Sequence, residues 1–222
     1  MTNSLTTAPI SVVLQRLLSN EQAGDDAAVA AVLDGASSPW DLDAGQRAEM
    51  FKDVYMSVSG IGGRLLYLLA RATGARNVVE YGTSFGVSTI HLASAVHDNG
   101  GGLVITTEMQ QDKADAALRN FAEAGVGDLI ELRLGDARET LADLPHVPDL
   151  VLLDGWPDLA IDVLRVLEPN LRAGTLILVD DVTADFGRDV HGALFDYLGD
   201  EANGYATMTL PIADGIAVAV RL

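Results

Sequence analysis

Val78-Val79-Glu80-Tyr81-Gly82-Thr83-Ser84-Phe85-Gly86-Val87-Ser88 decides the fold of this chain. A short β-branched run ends at a glycine, a second glycine follows, and a helical pattern starts directly after it. That order reads as strand, tight turn, helix. Working outward, the same unit recurs. Leu103 to Thr106, Leu129 to Leu132, Leu150 to Leu153 and Leu176 to Val179 are short apolar runs bounded by Gly, Asp or Pro. Strands covered on both faces look like this. Between them lie stripes at helical spacing, such as Ala114, Ala117, Leu118, Phe121 and Ala122, then Ala160, Val163, Leu164, Leu167 and Leu171. The alternation predicts an α/β fold, a Rossmann-like, doubly wound and mostly parallel sheet. The end of the chain differs. Tyr205 to Leu210 and Ile216 to Val220 are joined by Pro211-Ile-Ala-Asp-Gly215, a hairpin-like turn with no helix between them. The last strand is therefore expected to be antiparallel.

Upstream, residues 1–60 show no strand pattern. Ile10 to Leu18, Asp25 to Leu33 and Asp43 to Tyr55 read as short helices, with Asp43 and Gln46 spaced as a capping box. Gly60, Gly62 and Gly63 break the pattern before a helix from Arg64 to Ala72. The expected organisation is a helical N-terminal cap or lid over 1–60 and a ligand-binding α/β domain over 61–222.

Composition excludes several classes of function. With 32 acidic against 14 basic side chains, for a net charge of −18, the surface repels phosphate backbones and anionic membranes. No nucleic-acid or membrane partner is expected. No stretch approaches the roughly 18 apolar residues of a membrane span, and Met1 to Pro9 lacks the pattern of a signal peptide. The chain has no cysteine, which rules out disulfides, thiolate nucleophiles and cysteine-held metals and agrees with a cytoplasmic protein.

In a doubly wound sheet ligands bind beyond the carboxyl ends of the strands. After the first strand, Gly82 and Gly86 let the backbone turn tightly against a ligand, and the following helix offers free N–H groups. Position 84 is Ser, so no full Gly-x-Gly-x-x-Gly is present. After the second strand stands Glu108, placed to accept hydrogen bonds from the ribose hydroxyls of a nucleoside. After the third come Gly135, Asp136 and Ala137, with room for a flat base. Asp154 and Trp156 follow the fourth strand, and Asp180 and Asp181 the fifth. Carboxylates gathered at neighbouring strand ends repel one another unless a cation or a proton joins them. Hard oxygen ligands select magnesium or calcium. The plainer alternative is that these aspartates cap helices and turns. The histidines show no metal-ligand spacing, and Ser84 and Ser88 lack a nucleophile elbow.

Taken in order, these segments resemble the class I, S-adenosylmethionine-dependent O-methyltransferases of the catechol and caffeoyl-CoA type, from about Met56 to Leu222. Val79 to Ser88 is similar to the family's first cofactor motif and Thr107-Glu-Met109 to its ribose-binding segment. Leu153-Asp-Gly-Trp156 and Val179-Asp-Asp-Val182 resemble its metal-ligand segments, and Leu210 to Ile216 the turn before its last strand.

The resemblance implies roles for particular residues. Met56 and Val58 match positions over the methionine end of the cofactor. Glu80, Gly82, Thr83, Ser84 and Ser88 match the turn around its amino-acid part. Glu108 matches the ribose ligand and Met109 lies against adenine, with Asp136, Ala137 and Trp156 on the adenine side. Asp154, Asp180 and Asp181 match the ligands of a divalent metal, magnesium as a rule. Two departures stand out. Asp181 occupies a position where the family commonly has Asn, and Pro157 one where many members carry a proton-accepting Lys. Asp154, through its metal, and nearby Asp158 are then the catalytic candidates.

The implied reaction moves a methyl group from the sulfonium to a hydroxyl of a small-molecule acceptor, a catechol-like vicinal diol, and a homodimer is expected. The competing readings are a nicotinamide-dependent dehydrogenase, which also uses a glycine turn and a ribose-binding acid, and a non-catalytic S-adenosylmethionine-binding protein.

Overall fold

The computed structural model describes residues 3–34, 38–184 and 189–222. The chain enters through helix α1 (Ile10–Leu33), α2 (Ala44–Met50) and α3 (Gly60–Thr73). Alternation follows: β1 (Asn77–Tyr81), α4 (Val87–Asp98), β2 (Leu103–Glu108), α5 (Gln111–Ala124), β3 (Ile130–Leu134), α6 (Ala137–Thr140), β4 (Leu150–Leu153), α7 (Ala160–Leu167) and β5 (Leu176–Val179). Helix α8 (Gly192–Gly199) leads into the hairpin β6 (Tyr205–Leu210) and β7 (Ile216–Arg221). The strands form one seven-stranded sheet in the order β3-β2-β1-β4-β5-β7-β6. The pairs from β3 to β5 are parallel, and β7 runs antiparallel to both β5 and β6. The sheet expected from the sequence, with its antiparallel end, is the sheet observed.

Period-two alternation along each central strand feeds two cores. Val78, Val104, Leu150, Leu152 and Leu178 face α3, α4 and α5, whereas Val79, Ile105, Val151, Leu153 and Ile177 face α7 and α8. Burial on both faces explains why β4 and β5 are short and wholly apolar, while β1 and β2 carry the buried polar side chains of Glu80, Thr106 and Thr107. Strand order reverses between β1 and β4, so the connections that leave these paired strands run to opposite sides of the sheet and leave a crevice at their carboxyl ends.

The N-terminal region departs from its sequence reading in three places, the first being that the helix read over Asp43 to Tyr55 ends at Met50. The segments read as separate helices around Leu18 and Asp25 are one continuous helix that passes through Gly24. Only its first half is buried, where Ile10, Val13, Leu14 and Leu17 join the core against α4 and α5. Gly60, Gly62 and Gly63 do not break structure but begin α3. Close packing accounts for the glycine at 63, because a Cβ there would lie 2.5 Å from the His91 ring on α4. Asp43 and Gln46 form the expected capping box, with Asp43 Oδ1 accepting from Gln46 N at 2.8 Å and Asp43 N donating back at 3.1 Å.

Candidate active site

A cavity of about 630 Å³ opens at the carboxyl ends of β1, β2, β4 and β5. Its floor is the turn after β1. Gly82 adopts φ +98°, and a Cβ there would sit 2.3 Å from the Asp154 carbonyl oxygen, so only glycine lets β1 and β4 end so close together. Thr83 is buried and its hydroxyl donates to the Thr107 carbonyl at 2.8 Å, tying the turn to β2. Glu108 closes the other side of the turn. Its Oε2 accepts from Ser84 N at 2.8 Å, and its Oε1 accepts from Met109 N and Gln110 N, both at 2.9 Å. The carboxylate is thereby fixed before any ligand arrives, with acceptor capacity left over.

A strap over residues 55–57 crosses the cavity edge. Both oxygens of Asp25 on α1 hold it, Oδ1 accepting from Tyr55 N at 2.6 Å and Oδ2 from Met56 N at 2.8 Å. Glu21, one helical turn earlier, accepts from Ser57 N at 3.1 Å. Burial pushes the Glu21 carboxyl up to about 7. From below, Ser84 Oγ donates to the Tyr55 carbonyl at 2.5 Å and the Tyr55 ring stacks on Phe85 at 4.2 Å. Met56, at φ 44°, is pinned in the left-handed region by these bonds.

Asp154, Asp180 and Asp181 line one wall together. The register places Leu153 beside Val179, so the residues that follow the two strands meet. Burial, reinforced by the charges of Asp180 and Asp181, lifts the Asp154 carboxyl well above the usual carboxylate range. Burial likewise moves Asp180 up to about 7, and Asp181 up to about 6 with the Asp214 charge adding to it. Among the described residues no group of three or more His, Asp or Glu side chains is placed to hold a metal ion. The chemistry of the donor set nonetheless fits a hard dication, since these oxygens repel one another until a cation neutralises them. His91 takes no part. It is buried with Nδ1 2.8 Å from the Val87 carbonyl oxygen, and burial pulls it down to about 4.

Of the residues singled out from the sequence, Met56, Gly82, Thr83, Ser84, Ser88, Glu108, Met109, Ala137, Asp154, Trp156, Asp180 and Asp181 all line this cavity. The remainder lie off it. Val58 is packed into the core between α1 and α3. Glu80 is wholly buried on β1, where its Oε2 accepts from Thr89 at 2.5 Å and from Thr106 at 2.6 Å. Asp136 caps α6 through Arg138 N at 2.9 Å and pairs with the Arg138 guanidinium at 2.6 Å. Asp158, the candidate proton acceptor, is bound to Arg47 at 2.9 Å.

Sequence reasoning missed Arg47 and Lys113. Arg47 is 3% exposed and lies between two indoles, 5.0 Å from the Trp40 ring and 4.8 Å from that of Trp156. Lys113 falls on the inward stripe of α5 with Ala114, Ala117 and Phe121, and a lysine at that phase was the available signal.

A glycine turn, a ribose-poised carboxylate and an aspartate wall on a sheet with an antiparallel end define a class of nucleoside-cofactor transferases. A family profile described as a methyltransferase domain matches residues 79–182. Catechol O-methyltransferase of Mycobacterium tuberculosis is 36% identical over 166 residues, spanning 74% of this chain and 69% of that protein. A putative O-methyltransferase of Mycolicibacterium smegmatis is 33% identical over 177 residues, spanning 72% and 80%. The O-methyltransferase TomG of Streptomyces achromogenes, solved with S-adenosylmethionine, superposes with a TM-score of 0.68 at 25% identity over 90% of this chain and 98% of that one. The chain belongs to the S-adenosylmethionine-dependent O-methyltransferases of the catechol O-methyltransferase-like family. These relatives favour neither the dehydrogenase nor the non-catalytic binder.

Proposed function

We propose that the enzyme methylates a phenolic hydroxyl of a catechol-like small molecule, with a magnesium ion held by Asp154, Asp180 and Asp181. One observation carries the reading: three aspartates gathered on the wall of a single cavity and raised first by burial, Asp154 and Asp180 also by neighbouring members of the trio and Asp181 by Asp214. A phenol has a pKa of about 10. When bound, a dication chelating adjacent hydroxyls lowers that pKa, and S-adenosylmethionine brings its methyl group already activated on a charged sulfur.

The chain's own residues then orient and exclude water. Glu108 accepts from the ribose hydroxyls, and Gly82, Thr83, Ser84 and Ser88 shape the turn around the amino-acid part, above the buried Glu80. The strap at Met56, with Val58 packed behind it, covers the methionine end. Met109, Ala137 and Trp156 flank the base, with Asp136 behind them. Residues 1–60 serve as the cap over the domain at 61–222, a role that falls to Val29 and Leu33 on the second half of α1 and to Trp40, Ala48 and Phe51, all of which line the cavity. Asp158 is engaged by Arg47, so water accepts the phenolic proton in this reading. The absence of cysteine supports a cytoplasmic setting. Homodimerisation is an expectation carried over from the family.

The test is methyl transfer to a catechol in EDTA and after Mg²⁺ is restored. Activity is expected to vanish and return. Full turnover in metal-free buffer overturns the metal assignment, and no transfer to any vicinal diol under either condition overturns the acceptor class.

A further inference from the structure

Among the described residues, Lys113 is the lysine or arginine that lines the cavity, and it is 5% exposed. Its place is fixed by the first turn of α5, where Gln110 Oε1 accepts from Lys113 N at 2.9 Å. The ammonium has no hydrogen-bond partner among the described residues; it lies 5.6 Å from the centre of the Phe85 ring. Burial lowers its pKa, and the charges of Glu108, Asp25 and Asp53 act in the opposite direction, Glu108 most strongly. An ammonium has three donors and no acceptor, and burying it without a partner is unfavourable.

Glu108 is the complementary case. It can only accept, it already takes three backbone N–H bonds, and its remaining lone pairs share the cavity with Lys113. A ligand that answers both groups must donate and accept at adjacent atoms. A vicinal diol does so, because each hydroxyl gives one proton and keeps lone pairs on oxygen. A fixed ion pair between the two side chains would remove the need for a ligand, but no such pair forms.

We propose that Lys113 is a ribose-binding residue whose ammonium donates to a hydroxyl oxygen of the cofactor's ribose while Glu108 accepts the hydroxyl protons, so that the pair reads an intact cis-diol. This rests on S-adenosylmethionine as the cofactor. The arrangement holds the ribose from two sides and gives the buried charge its partner only in the loaded enzyme.

Titration calorimetry with S-adenosylhomocysteine and its 2′,3′-dideoxy analogue tests the assignment. For Lys113→Met, which keeps the apolar stem over Phe85, binding of S-adenosylhomocysteine is expected to weaken by about tenfold or more. Binding of the dideoxy analogue should change by less than about twofold, because the partner atoms are gone. Lys113→Arg should recover part of the loss. The unliganded Lys113→Met protein should melt no lower than wild type, since a poorly solvated charge has been removed, whereas a merely structural lysine would lower the melting temperature. Equal losses on both ligands, or no loss on S-adenosylhomocysteine, overturn the proposal. Should the variants fail to fold, the unaltered enzyme still decides: equal affinity for the two ligands refutes recognition of the diol. Wild-type enzyme that binds neither ligand overturns the cofactor assignment beneath it.

Discussion

Replacing Glu80 by Gln isolates the energetic consequence of burying a carboxylate beneath the cavity floor. The side chain is fully buried on β1, its Oε2 shared by the Thr89 and Thr106 hydroxyls and its Oε1 without a partner. Burial is the dominant influence and moves the pKa from 4.5 to about 7, against the stabilising hydroxyl bonds. The sign follows from linkage. Between these values the folded chain holds a proton that the unfolded chain has released, so stability falls as pH rises through that window. Below 4.5 both states are protonated and the contribution is flat; above about 7 both are ionised and the full penalty is present. A shift of this size corresponds to about 3 kcal/mol, an upper figure because unfolded chains retain some structure.

Gln keeps the shape of the protonated acid and carries no charge at any pH. The assay is urea unfolding of wild type and Glu80→Gln, without cofactor or metal, from pH 5 to pH 8. Glu21, Asp180 and Asp181 titrate in both proteins and largely cancel in the difference, whereas Asp154, which the Glu80 charge helps to raise, adds a smaller change of its own. The gap between the two stabilities should therefore move by about 2.5 kcal/mol in favour of the variant as pH rises. Parallel curves would refute the reasoning, because they would mean that Glu80 ionises as freely in the fold as in water.

Gly82→Ala places a Cβ 2.3 Å from the Asp154 carbonyl oxygen at φ +98°, and should lower stability by roughly 2–4 kcal/mol and depress turnover. Gly74→Ala, also at positive φ but with nothing within 4 Å, is the control and should cost only about 1 kcal/mol in the same denaturation assay. Arg47→Met removes a buried ion pair and two indole contacts, but also removes two guanidinium nitrogens that have no partner. Its unfolding free energy should stay within about 1 kcal/mol of wild type, and a loss above about 2 kcal/mol would show that the cation braces Trp40 and Trp156.

What the sequence disclosed follows from the range of the interactions involved. The runs at Val78, Val104, Leu150 and Ile177 are legible because burial on both faces keeps them mostly apolar, with Glu80 and Thr106 as the buried polar exceptions. Asp43 and Gln46 are legible because a capping box closes within one turn. The glycines at 60, 62 and 63 misled because their reason lies elsewhere in the chain: His91 on α4 occupies the space that a Cβ at 63 would need. The helix that continues through Gly24 has a similar cause. Asp25 and Glu21 must project from one rigid rod to grip successive amides at 55–57. Ordinary acidic residues on a solvated helix give no local sign of that task. Arg47 and Asp158 meet across the fold in the same way, and a partner so distant in sequence cannot be read from spacing.

The distribution of charged groups around the cavity points the same way without any relative. Buried polar atoms normally find partners within the fold. Here an ammonium on α5, a carboxylate with spare acceptor capacity on β2 and the carboxylates after β4 and β5 converge on one cavity. Their signs are also sorted in space. The aspartates gather after β4 and β5, whereas Lys113 and Glu108 line the same cavity from α5 and β2. In the reading proposed above a cation answers the first group and a nucleoside the second, and the Gly82 bend brings β1 against the start of the aspartate wall.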